Sequence, residues 1–126
     1  MSDFKIEQTK LTPRVALLKD GCEINIKGEC LPEDARAFFK PILEWTEQIK
    51  SDSPPKITLN LDLPYFNSSS SKQLMKLFYL LEDYKEENEA VAIEVNWYYL
   101  EGDVLIFEKG EEFDELTELR FNIIKS

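Results

Sequence analysis

Lys56-Ile57-Thr58-Leu59-Asn60-Leu61-Asp62-Leu63 alternates without a break, with Ile57, Leu59, Leu61 and Leu63 on one side and Thr58, Asn60 and Asp62 on the other. A period of two marks a strand with one buried face and one wet face. Residues 91–97 repeat the pattern, setting Val91, Ile93, Val95 and Trp97 against Ala92, Glu94 and Asn96. Between these runs Leu74, Leu77, Phe78, Leu81 and Tyr84 recur at helical spacing and form one apolar stripe. Strand, helix, strand predicts a right-handed parallel crossover. Strands covered by helices on both faces read as continuous apolar runs. These alternate instead, so the helices are expected mainly on one face of a mixed β-sheet, with the other face wet or open to a partner.

Working outward, residues 4–9 and 15–18 are short strand candidates separated by Thr12-Pro13, and Lys19-Asp20-Gly21 reads as a hairpin turn in which Asp-Gly supplies the positive-φ positions. Cys22, Ile24 and Ile26 then alternate with Glu23, Asn25 and Lys27 as a half-buried strand. Pro32-Glu33-Asp34 reads as a helix start, because proline suits the first helical position and acids suit the positive end of the helix dipole. Phe38, Ile42, Trp45 and Ile49 follow at helical spacing, widened by Phe39 and Leu43. Pro41 interrupts that stripe. An interior proline costs roughly 3 kcal/mol, which predicts a kink or two abutting helices. Ser51-Asp52-Ser53-Pro54-Pro55 reads as a loop, residues 108–118 as an acidic polar segment and residues 119–124 as a last strand. With no linker or internal repeat, residues 1–126 are expected to form a single α/β domain.

The bulk numbers narrow the function. Hydrophobic content of 43% with 12% aromatics suits a packed core and argues against disorder. No apolar run approaches the roughly 20 residues that span a bilayer. Met1-Ser2-Asp3-Phe4-Lys5 lacks the basic and apolar regions of a signal peptide, so the cytoplasm is the expected location. A net charge of −10, from 25 acidic and 15 basic residues, disfavours nucleic acid and acidic membrane surfaces as partners, since both bind clustered cations. Cys22 and Cys30, with seven residues between them, match neither a redox nor a zinc spacing and read as small buried hydrophobes.

The absence of histidine removes Ser-His-Asp and Cys-His catalysis and histidine-held metals. None of the four glycines falls in a phosphate-loop pattern. Glu86, Glu87 and Glu89, and further on Glu111, Glu112, Asp114 and Glu115, read as solvated surface and lack calcium-loop spacing, so no metal or cofactor is expected. A hydrolase built on paired carboxylates stays as one rival reading. Asp62 stands where a phospho-receiver carries its aspartate, but neither the acidic pair nor the later lysine of that chemistry is present. That leaves Tyr65-Phe66-Asn67-Ser68-Ser69-Ser70-Ser71-Lys72 at the strand-to-helix junction. The serines could simply cap the helix: Ser70 with Gln73 makes a capping box, and Asn67 or Ser68 could cap an earlier start. They could also accept a phosphate, which suits the unpaired N–H groups of a helix N-terminus, with Lys72 four residues after Ser68 partly neutralising it.

Thr12-Pro13, then Gly28, Pro32 and Glu33, then Phe39, Pro41 and Trp45, then Leu63-Pro64-Tyr65-Phe66-Asn67-Ser68-Ser69-Ser70-Ser71-Lys72, then Asn96-Trp97-Tyr98-Tyr99 and finally Gly110-Glu111-Glu112-Phe113 resemble, in order and spacing, the SiaC-type family of bacterial regulatory phosphoproteins. The resemblance implies a STAS-like fold, similar to anti-sigma-factor antagonists, and a partner switch without catalysis. It implies phosphorylation by a serine/threonine kinase at the hydroxyl after the asparagine, Ser68, with Ser69 and Ser70 as secondary candidates, and reversal by a PP2C-type phosphatase. It implies that the bare protein activates a diguanylate cyclase, raising cyclic di-GMP and favouring biofilm. On that reading Tyr65, Phe66, Asn67, Ser68, Ser69, Lys72, Trp97 and Tyr98 form the partner-binding patch. The remaining rival is an adaptor that is never modified.

Overall fold

The computed structural model describes residues 2–126. Nine elements follow in order: β1 (Phe4–Ile6), β2 (Arg14–Leu18), β3 (Glu23–Lys27), α1 (Ala35–Lys50), β4 (Lys56–Asp62), α2 (Ser68–Glu87), β5 (Ala92–Tyr99), α3 (Val104–Leu116) and β6 (Phe121–Lys125). The six strands lie side by side in chain order. The first two joints are antiparallel; β3–β4, β4–β5 and β5–β6 are parallel, each crossed by one helix. The mixed sheet with its central β4-α2-β5 crossover is the architecture that the alternation predicts.

Register explains the layering. Ile24, Leu59, Val95 and Phe121 stand in one row, and Ile26, Leu61, Trp97 and Ile123 in the next. Against these rows α1 buries Phe39, Ile42, Trp45 and Ile49, α2 buries Leu74, Leu77, Phe78 and Leu81, and α3 adds Ile106 and Phe113. All belong to one continuous apolar cluster. Phe78 meets both Phe113 and Phe121 edge-on at 5.2 Å, and Phe113 meets Trp97 at 5.5 Å.

The opposite face is polar and internally bonded. Asn25, Asn60, Asn96 and Asn122 occupy matching positions on the four parallel strands. Their amides bond in one direction: Asn122 Nδ2 donates to Asn96 Oδ1 (3.0 Å), Asn96 to Asn60 (2.8 Å), Asn60 to Asn25 (2.8 Å), and Asn25 to the Ala16 carbonyl (3.1 Å). Parallel in-register strands bring like side chains within reach of each other, and amides, which both donate and accept, can bond all the way across.

Several local expectations are corrected. The first helix starts at Ala35, not Pro32, because Asp34 adopts an extended backbone and accepts the Ala37 N–H. Its inward stripe centres on fully buried Phe39, with Phe38 only half-buried. Pro41 neither breaks the helix nor divides it; burial of Phe39, Ile42, Trp45 and Ile49, worth about 1.5–3 kcal/mol each, outweighs one lost hydrogen bond. β1 stops at Ile6. In the hairpin the positive φ angles fall on Gly21 and Cys22, with Cys22 N donating to Lys19 O at 3.1 Å, so Cys22 is a turn residue, not a strand residue. The acidic segment is not a polar run but most of α3: Asp103 Oδ1 accepts the Ile106 N–H at 3.1 Å, and Ile106, Gly110 and Phe113 face inward while Glu108, Glu111, Glu112 and Glu115 face out and half-buried Asp114 accepts the Phe121 N–H at 2.9 Å.

Candidate functional site

After Asp62 the chain must leave the sheet and enter α2 at Ser68. The segment after β3 holds this turn by backbone bonds: Gly28 N donates to Asp62 O (2.9 Å), Cys30 N to Tyr65 O (2.9 Å) and Asn67 N to Cys30 O (3.3 Å). Cys30 and Phe66 thereby pair as an isolated parallel bridge. Gly28 has φ 125°, and a Cβ there would meet Gln8 Nε2 at 2.9 Å and the Pro13 Cα at 3.3 Å, so a side chain fits neither the torsion nor the space.

The bridge fixes the helix start. Asn67 is extended (φ −84°, ψ 171°); its Oδ1 accepts from Ser70 N at 2.9 Å and its carbonyl accepts from Ser71 N at 3.0 Å. Asn67 is therefore the cap, and Ser70 with Gln73 does not form a capping box. Ser68 and Ser69 occupy the first two helical positions, where backbone N–H groups have no intrahelical acceptor. Both are exposed. The Ser69 hydroxyl donates to Asn67 Oδ1 at 3.1 Å, whereas the Ser68 hydroxyl bonds to nothing among the described residues. Lys72 is exposed. Ser70 is 0% exposed, with its Oγ 3.5 Å from both the Cys30 carbonyl and the Cys30 thiol. As a secondary phospho-acceptor Ser70 is thus corrected: three successive residues on a helix point in different directions, and the third points into the core. Burial pushes the Cys30 thiol up from its ordinary pKa, with a smaller opposing effect from its hydrogen bond to Ser70.

The aromatic residues of the expected patch divide. Tyr65 is exposed and Tyr98 half-buried. Trp97 is not a docking residue: it is 1% exposed and its Nε1 donates to Ile106 O at 2.8 Å. Phe66 is corrected in the same way, since it is buried and packed edge-on against Trp97 at 5.8 Å. The two support the site from beneath. What reasoning from the sequence missed lies beside them. Leu63, Pro64, Tyr99, Leu100 and Ile106 join the expected Tyr98 in lining a cleft of about 340 Å3 at the carboxyl ends of β4 and β5; Leu100 there is 59% exposed, and Val104 and Leu105 at the start of α3 are 62% and 57% exposed. An unrecognised helix hid the meaning of that apolar stretch.

Asp62 lies on the polar face, 3.9 Å from Lys27 Nζ. Among the described residues no three potential metal ligands come together, and no helix is long and apolar enough to cross a membrane. Carboxylates of Glu82, Glu86, Glu89 and Glu118 gather instead around a separate cleft at the far end of α2, beside Lys85.

Comparison with known proteins places this geometry. The family model described as SiaC family regulatory phosphoprotein matches residues 6–126. A protein of Pseudomonas aeruginosa (strain UCBPP-PA14) that carries no functional description is 29% identical over 123 residues, covering 98% of this chain and 96% of that one. The crystal structure of apo-SiaC from Pseudomonas aeruginosa superposes with a TM-score of 0.91 at 28% identity, covering 100% of both chains. SiaC bound as activator to the diguanylate cyclase SiaD, from the same organism, gives 0.92 at 27% identity, covering 98% of this chain and 100% of that one.

Proposed function

This chain belongs to the SiaC family of regulatory phosphoproteins, and from that membership we propose that it is a partner switch with no chemistry of its own. Unmodified, it binds and activates a diguanylate cyclase, as its relative does. A serine/threonine kinase adds phosphate to Ser68, which releases the cyclase, and a PP2C-type phosphatase restores the active form. Such an exchange belongs to the cytoplasm, with cyclic di-GMP and biofilm formation downstream.

The observation that carries this reading is the contrast within the serine run. Ser68 offers a free, exposed hydroxyl at the mouth of α2, while Ser69 is tied to the cap and Ser70 is buried. In the free protein a phosphate at Ser68 sits at the positive end of the helix dipole, which favours it by roughly 0.3–1 kcal/mol. Under a docked partner the same dianion is stripped of water at a cost of several kcal/mol unless cations replace it. Moving occupancy from 99:1 to 1:99 needs about 5.5 kcal/mol, so one desolvated phosphate is of the right size, and its sign is release. Tyr65, Asn67, Ser69, Lys72 and Tyr98 surround the contact.

The test is reconstitution with the host's diguanylate cyclase. Unmodified chain and Ser68→Ala are expected to raise its turnover, and enzymatically phosphorylated chain is expected to leave it at the basal rate. Equal activation by the phosphorylated chain sinks the switch.

A further inference from the structure

Two neighbouring helices carry their charges in reverse. Anions suit the first turn of a helix and cations the last, yet neither α1 nor α2 has an acid in its first turn. In α1, Arg36 and Lys40 come first, and Glu44 and Glu47 follow. In α2, Lys72 and Lys76 come first, and Glu82, Asp83, Glu86 and Glu87 follow. All four leading cations are exposed. Among the described residues none of the four forms an ion pair, although a chain of net charge −10 has acids in excess.

The two pairs of cations flank one groove. α1 and α2 cross between parallel neighbours, β3–β4 and β4–β5, so they run in the same direction, and they pack side by side. Their leads are tied where Asn67 N donates to Cys30 O at 3.3 Å, which sets both helix starts at one end of the seam. At the other end Glu47 and Lys50 of α1 line a single cleft with Tyr84 and Glu87 of α2, which identifies the sides that the helices turn toward each other. Arg36 stands eleven residues before Glu47, and Lys76 eleven before Glu87. Eleven residues are about three whole turns, so Arg36 and Lys76 fall on those same sides. Lys40 lies one turn beyond Arg36, Lys72 one turn before Lys76, and Ser68 one turn before Lys72. The Ser68 end of the groove is therefore rimmed by four unpaired cations.

We infer that the Ser68 end of the α1–α2 groove, rimmed by Arg36, Lys40, Lys72 and Lys76, seats a carboxylate-rich segment of the cyclase that the chain activates. The inference rests on the proposed switch and names the chemistry of its partner's contact. Charge complementarity selects the occupant. A basic segment is repelled here, and an apolar one leaves the cations stripped of water and unpaired, whereas carboxylates meet each of them. The same arrangement gives the phosphate a second effect. A dianion on Ser68 stands one turn from Lys72 and lowers the positive charge that the incoming segment meets.

The experiment titrates the host's diguanylate cyclase with the intact, unmodified chain at about 50 mM and about 300 mM salt. Two variants neutralise the groove, Lys72→Gln with Lys76→Gln and Arg36→Gln with Lys40→Gln. A third, Lys72→Arg with Lys76→Arg, keeps the charge. The control, Lys19→Gln with Arg120→Gln, makes the same change in net charge at exposed positions by the opposite end of the sheet. For wild type, the concentration giving half-maximal activation is expected to rise at least about fivefold with salt. Each glutamine pair should raise it at least about tenfold at low salt and flatten its salt dependence, while the arginine pair and the control stay within about twofold of wild type. Thermal melts separate lost contact from lost fold, since removing cations from the positive ends of helices should not lower Tm. Glutamine pairs that activate like wild type, that keep its salt dependence, or that weaken no more than the control overturn the inference and leave the switch standing. Absence of activation by the unmodified wild-type chain removes the switch itself and the inference with it.

Discussion

Asn96→Ala cuts the amide ladder at its most enclosed rung. Asn96 is 8% exposed; it donates to Asn60 at 2.8 Å and accepts from Asn122 at 3.0 Å. Each bond is worth about 0.5–1.5 kcal/mol net. The two severed ends are not equivalent. Asn122 is exposed, so water takes up its amide, whereas Asn60 is half-buried and its carbonyl oxygen is less easily resolvated. The expected loss is about 1–2 kcal/mol, or a Tm drop of roughly 3–10 °C for a chain of this size. Asn122→Ala removes one ladder bond, from Asn122 Nδ2 to Asn96 Oδ1, but opens the Asn96 oxygen to water from the emptied wet end, so it should cost about 0.5–1 kcal/mol and less than Asn96→Ala. Urea unfolding of the two single variants, of Asn60→Ala and of the Asn60/Asn96 double variant gives the coupling directly, and it should be about 0.5 kcal/mol or more. Asn96→Asp sharpens the test. A carboxylate cannot donate to Asn60 Oδ1, so at neutral pH this variant should be less stable than Asn96→Ala. The ionised form being the disfavoured one, the folded pKa of Asp at this position lies above its unfolded value near 3.9. The deficit should therefore shrink as pH falls through the folded value, where the protonated acid donates again. If Asn96→Ala costs no more than Asn122→Ala and the double variant is additive, the ladder is a geometric coincidence with no share in stability.

Two further outcomes follow from close packing and from burial. In Gly110→Ala the new Cβ would stand 2.5 Å from Trp97 Cδ1 and 2.8 Å from Nε1, against a ring pinned by Ile106 and flanked by Phe66 and Phe113; overpacking of about 1–3 kcal/mol should exceed the ~1 kcal/mol gained in helix propensity, so a raised Tm would refute the packing argument. Burial raises the Cys30 thiol pKa above its ordinary value near 9.0, so its contribution is whole below the unfolded pKa and lost as pH rises through the folded one; the Tm advantage of wild type over Cys30→Ala should narrow above about pH 9, and a gap that stays constant from about pH 8 to about pH 10 would contradict it.

What could be read from the chain and what could not separate along physical lines. The parallel core was legible because β4 and β5 each need one dry face and one wet face, and the period of two records that need directly. The same alternation already assigned Trp97 to the dry face, beside Val95. Treating it as a docking aromatic set a preference for interface anchors above the stronger evidence of strand period, and the structure restores the order. α3 was illegible for a different reason. Glu108, Glu111, Glu112, Asp114 and Glu115 dilute its apolar stripe, and Gly110 looks like a breaker until Trp97 is seen to occupy the space of its missing side chain. Asp103 followed by Ile106, Gly110 and Phe113 was the signal available. The start of α2 was undetermined for a third reason: Asn67 and the serines after it are all competent caps. The choice falls to Asn67 because Cys30, far away in sequence, holds its backbone extended. No local reading contains that contact.

The tie to Cys30 also bears on what kind of switch the fold can make. Two routes could turn a phosphate at Ser68 into release: it could reshape the protein, or it could alter a surface that stays in place. Reshaping needs an element with two arrangements of similar free energy. The mouth of α2 is not such an element. It is held by the Asn67 cap, two backbone bonds to Cys30, a glycine that admits no side chain and an aromatic pair beneath. A phosphate favoured by the dipole by less than about 1 kcal/mol does not undo that many contacts. The proposed switch therefore acts at the surface, and its two forms should share one backbone. Amide chemical shifts of the phosphorylated chain are then expected to change around residues 65–72 and to hold along the asparagine ladder. Shifts spreading through β3 to β6 would mean that the fold carries a second state, and that release works through shape and not through the desolvation of one charged group.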